Sequence, residues 1–169
     1  LFPAVVACAS SDDGTPAPSG ATGGTSATGG TSATGDAQNP PTTNGADVEA
    51  WLKTGAYKTW KCEVASHPQL KVSPHGKNRV CSNDLAAGFT GAVGTERPIK
   101  TASVKELYDD ASVLVGYAVA VKTKATSDGG SSWYWYERIG MDTAADGLGS
   151  SGTPKSICVG CHVGLSLIH

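Results

Sequence analysis

The sequence predicts an α+β fold in which an antiparallel β-sheet carries short helices, and three segments support this prediction. Ser103 to Tyr108 alternates apolar and polar side chains, which is typical of a half-buried strand. Val113 to Lys122 is an apolar run rich in β-branched residues and predicts a central strand. Asp128 to Gly130 is a turn signal, so the aromatic-rich segment Ser132 to Arg138 is expected to pair with the preceding strand.

Short helices are predicted nearer the amino terminus. Asp47 is suited to cap a helix over residues 48–52, and Gly55 is suited to end it. Further along, Asn83 is suited to cap a second helix over residues 84–89. These helices are expected to pack beside the sheet.

Two further segments complete the domain. Arg79 to Ser82 predicts a short strand before the second helix. Met141 to Ser156 is rich in glycine and predicts a loop that leads to the carboxyl-terminal motif. The sheet is therefore expected to end with the aromatic strand.

The first residues indicate export. Residues 1–7 are typical of the end of a signal peptide's apolar region. The run Val-Val-Ala-Cys that ends at Cys8 resembles a bacterial lipobox, which implies that Cys8 is lipidated as the first mature residue. In such signals Ala9 after the cysteine favours the outer membrane. A plain signal peptide cleaved after Ala7 or Ala9 is the alternative.

Residues 8–45 predict a disordered tether. They are rich in Gly, Thr, Ser and Ala, and residues 21–35 repeat the sequence Ala-Thr-Gly-Gly-Thr-Ser. So few large apolar groups cannot offset the entropy of ordering, and a coil of this kind spans roughly 30 Å. We expect one folded domain over residues 46–169, held in the periplasm or at the cell surface by the lipid anchor.

Charge and hydropathy exclude two classes of partner. The formal net charge of −2 over 169 residues offers no basic surface for nucleic acid. No run of eighteen apolar residues exists, so no membrane-spanning helix is predicted. Contact with a membrane is expected only through the lipid.

The carboxyl-terminal motif predicts a c-type haem. Residues 158–162 read Cys-Val-Gly-Cys-His, a spacing that lets Cys158 and Cys161 add to the two haem vinyl groups while His162 binds the iron. A redox dithiol or half of a zinc site are the alternatives. A thioredoxin-like dithiol would follow a first strand and open a helix, not lie at the end of the sequence.

The remaining cysteines predict a disulfide. With Cys8 assigned to lipid and Cys158 and Cys161 to haem, Cys62 and Cys81 form an even pair in an oxidising compartment. Closing this loop would stabilise the fold by about 3 kcal/mol on the chain-entropy model. Two buried reduced cysteines are the alternative.

The sixth iron ligand stays open at this point. Small electron-carrier cytochromes place the haem motif early and supply a later Met, whereas here Met141 precedes the motif. His67 and His75 are the candidate ligands. Without one of them the iron is five-coordinate and open to small molecules.

Six segments, together with the haem motif, resemble the cytochrome P460 family in their order and spacing. The segments are Tyr57 to Trp60, Pro74 to Gly76, Arg79 with Val80, Asn83 with Asp84, Val104 to Glu106, and Trp133 to Trp135. The resemblance implies a mostly antiparallel β fold, a homodimer and His162 as the proximal ligand. Residues 163–169 depart from the family's closing segment.

The resemblance also implies roles for single residues. Lys105 matches the lysine that the family bonds covalently to the haem macrocycle, and Arg79 matches a basic residue near the haem, where it would pair with a propionate or a bound anion. Ala118 matches the distal carboxylate that P460 enzymes use for proton transfer, which is a departure. Trp133 to Trp135 are expected in the core or the pocket wall.

Three functions are compatible with these residues. The first is an oxidoreductase that converts hydroxylamine to nitric or nitrous oxide and passes electrons to a periplasmic redox partner. The second is a five-coordinate haem that binds nitric oxide or carbon monoxide, as in the β-sheet cytochromes c′, which share the fold and lack the lysine bond. The third is an electron carrier with His75 or His67 as sixth ligand.

Overall fold

A computed structural model describes residues 38–69, 75–92, 94–149 and 158–162 of the chain. The fold is a six-stranded antiparallel sheet with a few short helices, which confirms the predicted α+β class. The strands follow one another in chain order as β1 (Lys61–Cys62), β2 (Lys77–Ser82), β3 (Ala102–Tyr108), β4 (Leu114–Lys122), β5 (Trp133–Ile139) and β6 (Asp142–Leu148). None of the helices in the described ranges is both long and apolar enough to span a bilayer.

Helix α1 spans Gly45–Thr54 and starts earlier than predicted. Its N-cap is Asn44, whose side-chain oxygen accepts the Asp47 N–H at 3.0 Å, so the prediction that Asp47 caps the helix is wrong. Asp47 instead lies in the first turn, where the negative charge of its carboxylate interacts favourably with the positive end of the helix dipole. Gly55 ends the helix in the left-handed region at φ 73°, as predicted.

Helix α2 spans Asp84–Ala87 and is capped by Asn83, as predicted. The Asn83 side-chain oxygen accepts the N–H groups of Ala86 and Ala102 at 3.0 and 3.1 Å, and its amide donates to the Lys100 carbonyl at 2.7 Å. One side chain therefore joins α2 to the start of β3 and to the loop before it.

The predicted disulfide is confirmed. Cys62 on β1 and Cys81 on β2 face each other across the antiparallel ladder and are bonded, with Cα atoms 3.9 Å apart. The link lies at the edge of the sheet and fixes a strand of only two residues.

The sixth strand corrects the loop predicted over Met141 to Ser156. Asp142–Leu148 pairs with β5, and residues 150–157 lie outside the described ranges. The Asp146 carboxylate accepts the Tyr134 hydroxyl at 2.6 Å and the Gly45 N–H at 2.9 Å. Pairing with β5 and these two contacts, rather than apolar periodicity, hold this segment as a strand.

The main core lies on one face of the sheet, beneath α1. Strands alternate their side chains between the two faces, so this face takes every second residue of β3 to β5. The cluster comprises Val48, Trp51, Leu52, Tyr57, Cys81, Ala102, Val104, Val119, Val121, Tyr134 and Tyr136. Residues of the opposite face form the site described below.

Several predicted features fall outside the described residues. These are the signal remnant 1–7, the lipidated Cys8, the tether up to residue 37, Pro74 and residues 163–169. Immediately before the predicted domain boundary at residue 46, Asn44 caps α1, and the Asn39 side chain contacts Asn83 at 3.3 Å. Structure is therefore described a few residues earlier than the sequence predicts.

Candidate functional site

Two rows of side chains cross the sheet on the face opposite α1. Residues paired directly across antiparallel strands point to the same face, so the register defines each row. The first row is Val80, Lys105, Ala118 and Glu137, and the second is Ser82, Ser103, Ala120 and Trp135. Small side chains at the centre of both rows leave space above the sheet.

The Cys-Val-Gly-Cys-His motif lies over these rows as a short helix, α3, at residues 158–162. The His162 ring lies 4.8 Å from the Trp135 ring and 6.4 Å from the His75 ring, measured between centroids. Cys158 is half-buried against the cluster that contains Trp135, whereas Cys161 is exposed. The imidazole therefore points toward the sheet.

Two adjacent cavities occupy the space between α3 and the sheet, with volumes of about 40 and 270 Å³. His162, Lys105 and Trp135 line both of them. The smaller cavity also contacts His75 and Glu137. Lys105, His75 and His162, which were predicted from the sequence, therefore line the same cavity as Glu137, which was not.

Burial governs the charges at this place. It lowers the pKa of the Lys105 amine, so a larger fraction of the amine is neutral and nucleophilic. Burial, together with the nearby Lys105 and His75, lowers the pKa of His162 to about 4. The His162 imidazole is therefore neutral at pH 7, which is the form that binds metals.

Glu137 is a site residue that was not predicted from the sequence. Its carboxylate lies 3.5 Å from His75 Nδ1, and the two side chains are only 9% and 12% exposed. Glu137 is also paired directly with Ala118, so its carboxylate lies beside Ala118 on the same face of the sheet. The available signal was its spacing of two from Trp135, which puts a charge on an otherwise apolar face.

The structure does not bring Arg79 to this site. Arg79 pairs with Glu106 on the core face, where Nε and Nη2 donate to the carboxylate at 2.7 and 3.1 Å. Tyr57 and Tyr108 donate to the same carboxylate at 2.7 and 2.6 Å. The Arg79 charge is therefore paired within the protein. Val80, the next residue in the sequence, is the one that shares a face with Lys105.

The other candidate iron ligands differ in whether they lie near His162. His67 lies away from the cavities, with Nδ1 2.7 Å from the Pro68 carbonyl oxygen and Nε2 3.1 Å from Glu63. Met141 is 87% exposed at the turn between β5 and β6. Of the three, only His75 lies close to His162.

The donor set suits a porphyrin better than a bare metal ion. Cys158 and Cys161 are three residues apart on α3, which places both thiols on one side of the helix. His162 follows them and lines both cavities. Among the described residues, no group of three or more His, Cys, Asp or Glu side chains could hold a metal ion directly.

A third cavity of about 240 Å³ lies on the core face between α1 and the ends of β4 and β5. It is lined by Glu49, Tyr117 and Arg138, among others, and by none of the residues predicted for the site.

No family model, curated protein or solved structure matches this chain.

Proposed function

We propose that this protein is a c-type haem oxidoreductase of the cytochrome P460 kind that oxidises hydroxylamine or a related small nitrogen compound. The observation that carries the proposal is the meeting of His162, Lys105, Glu137 and His75 at one cavity on one face of the sheet. Cys158 and Cys161 would hold the haem through thioethers, and His162 would ligate its iron. The haem would supply the redox chemistry and the protein its binding, orientation and proton transfer.

Lys105 would form the bond to the macrocycle. The amine and the macrocycle would each give up one hydrogen in a two-electron oxidation, and a peroxide would accept both hydrogens during maturation and be reduced to water. Burial favours this reaction, since it keeps part of the amine neutral. The register supports it as well, because Lys105 lies opposite Ala118, whose small side chain leaves the amine room above the sheet.

Glu137 would accept protons from the substrate. Oxidation of hydroxylamine releases protons together with electrons, and the electrons would leave through a periplasmic partner. His75 lies close to both Glu137 and His162, with Nδ1 3.5 Å from the carboxylate, and would hold Glu137 in place. This pair would do the work that the family assigns to a carboxylate at the position of Ala118.

The first test concerns the haem. The full chain, produced with a haem-attachment system, should carry covalent haem, and the Cys158→Ala/Cys161→Ala variant should lose its visible absorption. The matched control is Cys62→Ala/Cys81→Ala, which removes the other cysteine pair and should keep the haem. Colourless wild-type protein, or absorption that survives the loss of Cys158 and Cys161, would refute the proposal.

The second test concerns the lysine bond. Wild-type protein should have a red-shifted haem spectrum and yield a tryptic peptide in which Lys105 is joined to the haem peptide. Lys105→Met should keep the thioether-bound haem and give an ordinary c-type spectrum, whereas Lys58→Met, at an exposed position, should change nothing. An ordinary spectrum in the wild type would exclude the P460 kind.

The third test concerns proton transfer. Glu137→Gln should slow hydroxylamine oxidation with an artificial electron acceptor about 100-fold, because a general base contributes at least this much. Asp142→Asn, an exposed carboxylate on β6, should keep the wild-type rate. An unchanged rate in Glu137→Gln would remove Glu137 from the mechanism.

A second function is an electron carrier with His75 as sixth ligand, and one distance favours it. Two histidines can hold one haem iron only if their imidazole rings lie close together. The centroids of the His75 and His162 rings are 6.4 Å apart, so both residues could hold the iron, and the Glu137 carboxylate faces His75 Nδ1, where it would orient that ring. A high-spin ferric resonance excludes this carrier, whereas a low-spin signal that turns high-spin in His75→Ala establishes it.

The gas-binding alternative assumes a pocket without a base. Because the Glu137 carboxylate lines this pocket, we rank that alternative third.

A further inference from the structure

The larger cavity extends beyond the proposed iron ligand to a polar end. From Lys105 and His162 it continues along the sheet, past the Trp133 and Trp135 rings, to Arg97. The two tryptophan rings stack with centroids 6.0 Å apart. Two aromatic residues and a cation therefore line the same cavity.

Arg97 is a half-buried cation at the polar end of this cavity. Its guanidinium lies over the Phe89 ring at 4.5 Å, and burial lowers the pKa of Arg97. No carboxylate or hydrogen bond reaches this guanidinium within residues 38–69, 75–92, 94–149 and 158–162. Arginine is the side chain best suited to bind a planar carboxylate through two parallel hydrogen bonds.

Thr101 supplies a second, independent sign of a ligand. Its side chain is 2% exposed, and its hydroxyl has no hydrogen-bond partner in the described part of the chain. Thr101 lines the same cavity as Arg97, together with Ser82 and Ser103. A buried hydroxyl is costly when unpaired, so an acceptor at this place is expected.

The loop that carries Arg97 is fixed in place. The Glu96 carboxylate accepts hydrogen bonds from Lys122 Nζ and, at 2.8 and 2.6 Å, from the Ser127 N–H and hydroxyl. The Thr101 N–H donates to the Pro98 carbonyl at 3.1 Å, which closes the loop against β3. Because Lys122 and Ser127 engage Glu96, its charge is not directed to the neighbouring Arg97.

Distance along the sheet separates the two ends of the cavity. Thr101 precedes Lys105 by four residues, which at 3.3 Å per residue is roughly 13 Å. The ligand that fits has a flat apolar body near Trp135 and Lys105 and carboxylates at the opposite edge. Protoporphyrin has this form, with its two propionates on one edge.

We infer that Arg97 and Thr101 form the carboxylate anchor of the cavity and bind the haem propionates, the role that the resemblance to the cytochrome P460 family implied for Arg79. The inference rests on the proposed function, since it names the residues that orient the same haem. Arg97 would receive one propionate through its guanidinium, and the Thr101 hydroxyl would donate to a propionate oxygen.

The test compares two porphyrins that differ only at the propionates. Apo full-length chain, made without haem attachment, is titrated with ferric protoporphyrin and with its dimethyl ester, and binding is followed by absorbance. Wild type should prefer the acid. Arg97→Gln should weaken binding of the acid about tenfold and leave the ester unchanged, because a charge-assisted hydrogen bond is lost. Thr101→Val should weaken the acid by a smaller factor.

Controls separate the anchor from folding and from general charge. Lys124→Gln removes a positive charge at an exposed position and should keep the wild-type preference for the acid. Arg97→Lys should recover part of the preference, and circular dichroism should give the wild-type spectrum for every variant. Equal weakening of acid and ester, or no weakening of either, would overturn the anchor alone. Absence of porphyrin binding to the wild-type chain would overturn the anchor, and a failure of covalent attachment would independently overturn the proposed function.

Discussion

A single buried carboxylate organises the core face of the sheet. Burial alone would raise the pKa of Glu106, but hydrogen bonds from Arg79, Tyr108 and Tyr57 hold that pKa below its ordinary value. The Glu106 side chain is 3% exposed, so its charge depends on these donors rather than on water.

Replacing this carboxylate should be costly. Glu106→Gln keeps the shape but leaves the Arg79 charge without its partner, and we expect the free energy of unfolding to fall by about 3 kcal/mol. Urea denaturation measures the change. Asp110→Asn, at an exposed position, serves as control and should stay within about 0.5 kcal/mol of wild type. A loss in Glu106→Gln no larger than the control's would show that the pair contributes little.

Glu96 should give the protein an acid-sensitive step. Burial acts to raise its pKa, but hydrogen bonds from Lys122 and Ser127 outweigh it and lower the pKa from 4.5 to about 2. A carboxyl group whose pKa is lower in the folded state stabilises the fold above its unfolded pKa and loses this effect as the pH falls. Stability should therefore decrease from pH 4.5 toward pH 2.

Acid titration of unfolding checks this window. The double variant Glu96→Gln/Lys122→Met removes both charges and should give a flatter curve between pH 4.5 and 2 than wild type. Because Glu96 is partly exposed, solvent screens the pair and the difference should be modest. Parallel curves for the two proteins would exclude Glu96 as the group responsible.

At the scale of single elements, the edge strand β1 depends on a covalent link. It has two residues, and the Cys62–Cys81 disulfide joins it to β2 across a sequence separation of 19. Cys62→Ala/Cys81→Ala should lower the free energy of unfolding by about 3 kcal/mol, because the unfolded chain regains the entropy of the open loop. Urea denaturation of oxidised protein gives the value.

Reductant provides the matched control for this prediction. Dithiothreitol should destabilise wild-type protein by a similar amount and leave the double variant unchanged, since that variant has no link to reduce. Wild-type protein whose denaturation midpoint is insensitive to reductant would contradict the prediction.

At the scale of the whole molecule, protection should be greatest at the centre of the sheet. β3, β4 and β5 each have a strand on both sides, whereas β1 and β6 are edges. Amide hydrogen exchange should therefore be slowest in β3 to β5 and faster at both edges. Equal protection of β6 and β4 would contradict this order.

Local pattern predicted the central strands well and β6 poorly. Ser103 to Tyr108 and Val113 to Lys122 carry their own periodicity, and each observed boundary lies within one residue of the prediction. Asp142–Leu148 has almost no apolar periodicity, and only Ala145 of this strand belongs to the buried core. Its conformation comes from pairing with β5, which no single segment encodes.

The site shows the same division. The motif at residues 158–162 and the strand that carries Lys105 could be predicted from local sequence. Which residues share a face with Lys105 depends on cross-strand register, and this excludes Arg79 and includes Glu137. Register is a property of the assembled sheet, so local sequence could not exclude Arg79, and it offered only the spacing of Glu137 from Trp135 as a signal.

The alternation of β5 has a practical consequence for engineering. Trp133, Trp135 and Glu137 lie on the face of β5 that lines the cavities, whereas Tyr134 and Tyr136 belong to the main core. A mutant library restricted to the odd positions of this strand would change the lining of the cavities, and its substitutions of the buried Trp133 and Trp135 would also cost stability. A library restricted to Tyr134 and Tyr136 would change mainly the packing of the core on the opposite face.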